Sequence, residues 1–83
     1  NYWAGAKKAC DDIGMSLPDK SKLLSLAKLP TAEKERLGLP TSGWFWSSSE
    51  YYALRAYGVT FYGGGTGNDF KGNSNFKVLC VGD

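Results

Sequence analysis

Apolar residues near the start of the chain repeat at intervals of three, four and three positions: Trp3, Ala6, Cys10 and Ile13. This spacing puts their side chains on one face and predicts a helix over residues 2–13. Gly14 is expected to end that helix, because glycine readily takes the left-handed conformation found after many helix C-termini.

Two shorter helices are expected next. Asp19 is a favourable N-cap for a helix that reaches about Lys28 and stops before Pro30. Its inner face would consist of Leu23, Leu24, Leu26 and Ala27. Thr31 is a suitable cap for a third helix over residues 32–37, whose run of charged side chains predicts a solvated surface.

Beyond Pro40 the pattern changes to one typical of strands. Residues 43–47 and 56–62 both favour strands. In the second of these, one face of the alternation consists of Tyr57, Val59 and Phe61, which are expected to pack together. Residues 63–69 are rich in glycine and predict a turn or flexible loop, and a last strand is expected at residues 76–81.

The order of these elements predicts the fold class. Helices first and antiparallel strands afterwards favour an α+β fold, with two main helices and a short third on one side of a small sheet. The chain has 83 residues, which is enough for a single domain over residues 1–83 but for only a modest core.

Composition and charge argue against several classes of function. Ten basic and eight acidic residues are scattered along the chain and give a net charge of +2, so no nucleic-acid partner is expected. Histidine is absent, which leaves a serine or cysteine nucleophile without an imidazole to activate it, and we expect no enzyme. No phosphate-loop or dinucleotide motif is present, so no cofactor is expected. No apolar run approaches about 18 residues, and we expect no membrane contact by this fragment.

The two cysteines, Cys10 and Cys80, lie near opposite ends of the chain. An even cysteine count in a small domain with a modest core favours one disulfide. Such a bond would enclose about 70 residues and stabilise the fold by about 4 kcal/mol in the chain-entropy model. The alternative is a pair of buried free thiols in a cytosolic protein.

An ordered set of motifs runs along almost the whole chain. It comprises Trp3–Ala6 with Cys10, then Leu17-Pro18, Trp46–Glu50, Ala56–Phe61 and Asn75–Val81. In order and spacing, this set resembles the C-type-lectin-like C-terminal domains of bacterial collagen-like adhesins. That family is related to the major paralogous domain of bacterial surface proteins and occurs also on pilin-like subunits. The chain departs from the family at Leu79, where an arginine often precedes the cysteine.

The resemblance implies a C-type-lectin-like fold, a disulfide between Cys10 and Cys80, and a location outside the cell, at the bacterial surface. It also implies a fragment of a longer surface protein. The expected function is a non-catalytic binding or adhesion module that recognises a glycan or a protein. The alternative is the globular head of a pilin-like or pseudopilin subunit, whose partners are other filament subunits and which binds no small ligand.

Candidate binding residues lie in or beside the strand-rich half of the chain: Trp44, Tyr51, Tyr52, Arg55, Tyr62 and Asn68. Their aromatic rings and polar groups suit stacking and hydrogen bonding with a ligand. Trp46 is expected in the core, with the serines at 47–49 hydrogen-bonded to order the loop that follows. For Trp44 the alternation leaves both a buried and an exposed position open.

One pair of neighbouring residues resembles part of a calcium site. Asn68 and Asp69 precede Cys80 at a spacing similar to that of the Asn-Asp pair in calcium-dependent lectins. Calcium takes about six to eight oxygen ligands, and Glu50 is the only other acidic residue in the second half before the terminus. Gly67 also stands where those lectins have a tryptophan, so no metal is expected.

Overall fold

The computed structural model describes residues 1–73 and 75–82. Across these residues the chain forms α1 (Tyr2–Asp11), α2 (Lys20–Ala27), α3 (Thr31–Arg36), β1 (Trp44–Tyr52), β2 (Arg55–Thr60) and β3 (Gly65–Phe70). The strands are antiparallel, and the prediction of a small α+β fold with its helices first is confirmed.

The sheet has the strand order β1-β2-β3. The central strand β2 pairs with β3 in unbroken register, beginning with Arg55 opposite Phe70. Its pairing with β1 is interrupted twice, between Trp46 and Glu50 and between Glu50 and Tyr52. Bulges of this kind insert extra residues into one strand, bend it, and change the direction in which its side chains point.

Strand β3 corrects the expectation of a turn or flexible loop over residues 63–69. The turn occupies residues 61–64 only, where Gly63 and Gly64 have φ values of +81° and +75°. The residues that follow are glycine, threonine, asparagine and aspartate, most of which have low strand propensity. They are held extended because β2 supplies a complete ladder of partners.

The two faces of the sheet are covered by different helices. Phe45 and Trp46 are consecutive in β1, so their side chains point to opposite faces. Trp46 clusters with Trp3 and Cys10 of α1, whereas Phe45 clusters with Leu23 of α2. We call these sides the α1 face and the α2 face. The expectation that the helices lie on one side of the sheet is therefore wrong, while the core position of Trp46 is confirmed.

The C-terminal segment does not form the regular strand expected over residues 76–81. It makes two isolated bridges instead, a parallel one between Phe45 and Lys77 and an antiparallel one between Ser16 and Val81. The Lys77 backbone exchanges hydrogen bonds of 2.8 and 2.9 Å with β1. The segment thus contacts β1 at Lys77 and the link between α1 and α2 at Val81.

A disulfide joins Cys10 of α1 to Cys80 of the C-terminal segment, with Cα atoms 5.4 Å apart. This confirms the predicted pairing and rules out the alternative of two free thiols. The bond lies in the core of the α1 face, where it holds the segment that carries Phe76. The Phe76 ring contacts both Trp44 and Trp46, at centroid distances of 5.5 and 4.5 Å.

The first two helices begin and end close to their predicted limits. α1 stops at Asp11, and Gly14 follows with a φ of +72°. Ile13 therefore lies beyond the helix and is 64% exposed, although the apolar repeat had placed it on the buried stripe. The side chain of Asp19 accepts a hydrogen bond from the Lys22 amide at 2.8 Å, which confirms it as the cap of α2.

Helix α3 differs from its prediction in two details. Pro30 occupies the N-cap position, so Thr31 is the first helical residue rather than the cap. Lys34 is buried, and its ammonium group donates a hydrogen bond to the Phe61 carbonyl oxygen at 2.6 Å. The charged run is thus not a purely solvated face, because one of its lysines connects α3 to the turn after β2.

The exposed side of α3 carries an ion pair that yields a prediction. The Arg36 guanidinium donates hydrogen bonds to the Glu33 carboxylate and thereby lowers the pKa of that carboxyl below its usual value. Replacement of Arg36 by glutamine should raise the Glu33 pKa towards that usual value, as measured by NMR titration, and Arg36→Lys should raise it less. An unchanged Glu33 pKa in Arg36→Gln would contradict the pairing.

The lowered pKa of Glu33 determines how pH changes its contribution to folding stability. A carboxyl with a lowered pKa in the folded protein contributes stability at neutral pH and loses it as the pH falls through the lowered pKa. Because the pair is exposed, we expect this contribution to be small.

Candidate functional site

The serine run after Trp46 shapes β1 and ties it to α2. Ser47 is fully buried, and its hydroxyl donates to the Tyr57 carbonyl oxygen at 2.8 Å and accepts from the Ser49 amide at 3.2 Å. The Ser49 hydroxyl accepts a hydrogen bond of 3.0 Å from the backbone amide of Lys20, the first residue of α2. The predicted hydrogen bonding is confirmed for Ser47 and Ser49. It fixes the bulged part of β1 against β2 and α2, and the residues that follow are strand and not the expected loop.

Aromatic side chains from two strands meet beside the start of α2. Tyr51 and Tyr52 lie at the second bulge of β1, and their ring centroids are 5.6 Å apart although the residues are consecutive. Tyr51 also contacts Tyr57 of β2, at 5.4 Å and with ring planes 82° apart. The Lys20 ammonium lies 4.2 Å from the centroid of the Tyr57 ring, a cation–π distance. These contacts join β1, β2 and α2 into one group.

Arg55 continues this group towards β3. Its guanidinium carbon lies 3.9 Å from the centroid of the Phe70 ring, and its Nη1 donates to the Asn68 Oδ1 at 3.1 Å. Asn68 stands opposite Tyr57 in the β2–β3 ladder, and opposite residues share a face of the sheet. The side chains of all three strands therefore form a continuous surface.

We call this surface the tyrosine–arginine face; it consists of Lys20, Tyr51, Tyr52, Arg55, Tyr57, Asn68 and Phe70. It lies on the α2 face of the sheet, because Arg55 and Tyr57 alternate with residues of the α1 face and share a side with Val59. Val59 packs under α2, so the tyrosine–arginine face begins where that helix stops covering β2. Half or nearly half of Tyr51, Tyr52 and Phe70 is exposed.

Four of the six predicted binding residues lie in this surface: Tyr51, Tyr52, Arg55 and Asn68. Trp44 does not, because it shares the α1 face with Trp46 and is stacked on Phe76 with ring planes 9° apart. It is 37% exposed, between the two positions that the alternation left open. Tyr62 lies in the turn after β2 and is 81% exposed, at the opposite end of that strand from Arg55.

Three members of the tyrosine–arginine face were not among the predicted binding residues. Phe70 is missed because the sequence predicts a loop immediately before it, and a loop gives no partner strand. A strand through residues 68–70 would have placed the side chains of Asn68 and Phe70 on the same face. Lys20 is predicted to lie in the second helix, and nothing in the sequence indicates that its ammonium reaches the Tyr57 ring. Tyr57 was expected to pack with Val59 and Phe61, but its half-buried ring contacts Tyr51 and Lys20 instead.

Charges are segregated between the two faces of the sheet. The acidic residues of the strands, Glu50 and Asp69, both stand opposite Ala56, which belongs to the core of the α1 face. There the Glu50 carboxylate accepts a hydrogen bond from the Lys71 ammonium at 3.0 Å. The strands thus contribute no carboxylate to the tyrosine–arginine face, which carries two cations.

The pair considered for calcium points in two directions. Asp69 accepts hydrogen bonds of 2.7 Å from the Phe70 amide and from the Asn73 side chain, whereas Asn68 accepts from Arg55 on the opposite face. Consecutive strand residues cannot converge on one cation without a bulge, and β3 has none. Over residues 1–73 and 75–82 no cluster of three or more acidic, cysteine or histidine side chains could hold a metal ion.

The tyrosine–arginine face is open. In the part of the chain that the structure describes, no pocket is formed. A ligand at this face would therefore bind across a surface and would not be enclosed.

Among the described residues, no helix combines the length and apolar character needed to cross a membrane.

Fold and site together define a small α+β domain with one disulfide and an exposed aromatic and basic sheet face. Residues 1–82 match the family described as "Domain of unknown function (DUF8780)", and the chain belongs to that family. No curated protein matches the chain.

Proposed function

We propose that this domain is an extracellular, non-catalytic binding module of a bacterial surface protein, and that it recognises a glycan or protein ligand through the tyrosine–arginine face. One observation carries the proposal: tyrosine, phenylalanine and arginine side chains from three strands are gathered on one open surface, with Tyr51 in contact with Tyr57 and the Arg55 guanidinium held by Phe70 and Asn68. Tyrosine and arginine are prominent among the residues that dominate binding energy at interfaces.

Rigidity supports a binding role for this face. The Tyr51 and Arg55 side chains are held by neighbouring rings, and Ser47 fixes the strand below them through its bond to Tyr57. A surface whose rotamers are already ordered loses little conformational entropy when a ligand binds. The Tyr51 ring and the Arg55 guanidinium therefore need little rearrangement to bind a ligand.

The disulfide supports a location outside the cytosol. Disulfides form and persist in oxidising compartments, and small domains with a modest core use them to gain stability. The bond between Cys10 and Cys80 is of this structural kind, because it connects two segments of the core. The resemblance of the motif order to bacterial surface domains favours the same location.

A binding screen with matched tyrosine variants tests the proposal. The folded protein is applied to a glycan array and to a displayed library of random peptides, and each hit is measured again with Tyr51→Ala and Tyr62→Ala. We expect Tyr51→Ala to weaken binding at least tenfold, because it removes a ring that contacts two others, and Tyr62→Ala to change it less than about twofold.

Tyr62 is the matched control because it is the same residue type, highly exposed, and outside the tyrosine–arginine face. Equal losses in both variants would contradict the assignment of the face, as would an absence of hits with well-folded protein. Assembly of the chain into filaments, abolished by Tyr51→Ala, would support the alternative of a pilin-like subunit.

A further inference from the structure

We infer that the tyrosine–arginine face binds a protein segment that presents a carboxylate beside an apolar side chain, with the Arg55 guanidinium as the receptor for the carboxylate. This inference rests on the proposed function and specifies its ligand. It follows from three features: how Arg55 is held, how charge is distributed, and how the aromatic rings are oriented.

Arg55 is held in a conformation suited to a carboxylate. Its guanidinium carbon lies 3.9 Å from the centroid of the Phe70 ring, and its Nη1 donates a hydrogen bond to the Asn68 Oδ1. Arginine has five N–H donors in a rigid fork that matches a carboxylate with two parallel hydrogen bonds. Phe70 and Asn68 hold the guanidinium from two sides, and among the described residues the N–H groups that do not bond Asn68 remain for a ligand.

Charge around Arg55 favours an acidic ligand. Lys20 provides a second cation on the same surface, and its ammonium is held over the Tyr57 ring. The strand carboxylates Glu50 and Asp69 lie on the α1 face, where they are bonded to donors of that side. An anion on the tyrosine–arginine face would thus meet attraction from two cations without repulsion from the strands.

The exposed apolar side chains distinguish a protein ligand from a sugar. The hairpin turn between β1 and β2 carries Leu54, which is 62% exposed, beside the half-exposed Tyr52 and Phe70. Rings on this face are tilted 66° and 82° to one another, so they form ridges and not the flat platform on which a sugar ring stacks. Ridges with an apolar rim suit interdigitation with the side chains of a protein.

The test is a selection with a displayed library of random twelve-residue peptides on the folded, oxidised protein. We expect the selected peptides to be enriched in aspartate or glutamate next to an aromatic or aliphatic residue. Synthetic copies should bind Arg55→Gln at least tenfold more weakly than the parent protein. Arg55→Lys, which keeps the charge but loses the fork, should be weakened by an intermediate factor.

The matched control is Lys8→Gln, which removes one positive charge from an exposed pair on α1. It should change peptide affinity less than about twofold. Near-ultraviolet circular dichroism of every variant checks that the fold is kept; should Arg55→Gln fail to fold, Arg55→Lys and the salt dependence of peptide binding replace it.

Two results would overturn the inference and leave the proposed function intact. The first is peptide binding that depends on Tyr51 but is equally affected by Arg55→Gln and Lys8→Gln. The second is Arg55-dependent binding of oligosaccharides containing sugar acids, in the absence of acidic peptide hits. A protein that binds none of these probes contradicts the proposed function itself.

Discussion

Joint replacement of Cys10 and Cys80 by serine should lower the free energy of unfolding by about 4 kcal/mol. The bond closes a loop between residues 70 positions apart, and in the chain-entropy model a loop of that length restricts the unfolded chain by this amount. The total stability of a domain of this length is about 4–12 kcal/mol, so the bond accounts for about a third of it or more. Urea denaturation followed by circular dichroism measures the difference.

Reduction provides the control for this experiment. Reductant should destabilise the parent protein by a similar amount and have no effect on the double serine variant, in which no thiol remains. A loss of less than about 1 kcal/mol in both cases would show that the disulfide contributes little to the fold. Because α1 and the C-terminal segment cover the same face, we also expect the tryptophan fluorescence of the reduced protein to report exposure of the Trp3 and Trp46 side chains.

Substitution of Gly58 by alanine should cost about 3 kcal/mol of stability. A Cβ atom at this position would lie 2.2 Å from the Phe76 ring, and that ring is confined by its contacts with Trp44 and Trp46. Enlarging a residue in a filled core forces neighbours out of their preferred conformations, at a typical cost of about 1–3 kcal/mol or more. Thermal and urea unfolding measure the loss.

Two further variants separate the clash from a general effect of glycine replacement. Gly5→Ala is the matched control, because in the described part of the chain an added methyl group would meet nothing within 4 Å beyond its chain neighbours and the backbone of its own helix. It should stabilise α1 by up to about 1 kcal/mol. Combining Gly58→Ala with Phe76→Leu should cost less than the sum of the two single changes. Strict additivity would mean that Phe76 does not limit the space above Gly58.

The helical half of the fold could be predicted from local signals. Asp19 caps α2 because its carboxylate reaches an amide three residues on, and this signal depends on neighbours in sequence. The cysteine pairing was also accessible, since only one pairing of two cysteines exists. By contrast, nothing near Lys34 in the sequence indicates that its ammonium reaches a carbonyl oxygen 27 positions away. Charged side chains turn inward only when a distant acceptor is available, which periodicity does not report.

The strand-rich half was harder to predict because its order comes from tertiary pairing. Residues 65–70 have the composition of a loop and become a strand only because β2 offers a complete ladder. The reverse holds for residues 76–81, whose apolar alternation favours a strand, whereas the structure has isolated bridges at Lys77 and Val81. Both errors concern long-range partners, and local propensity carries no information about them.

The candidate site was predicted in part. The sequence groups Tyr51, Tyr52, Arg55 and Asn68 by their aromatic or polar side chains in the strand-rich half, and the structure brings them together. Trp44 was separated from them by the pleat of β1. Which residues share a face after residue 46 depends on the two bulges, and bulge positions are not visible in the alternation of apolar residues.

The two bulges of β1 separate the regular pairing around Trp46 from the tip of the hairpin, which carries Tyr51 and Tyr52. Trp46 pairs with Gly58 before the irregular stretch, and Tyr52 pairs with Arg55 after it. Insertion or loss of one residue there would rotate Tyr51 and Tyr52 to new directions while the buried layers stay as they are. A change of strand length near the tip would therefore alter the tyrosine–arginine face and leave the packing of the core unchanged.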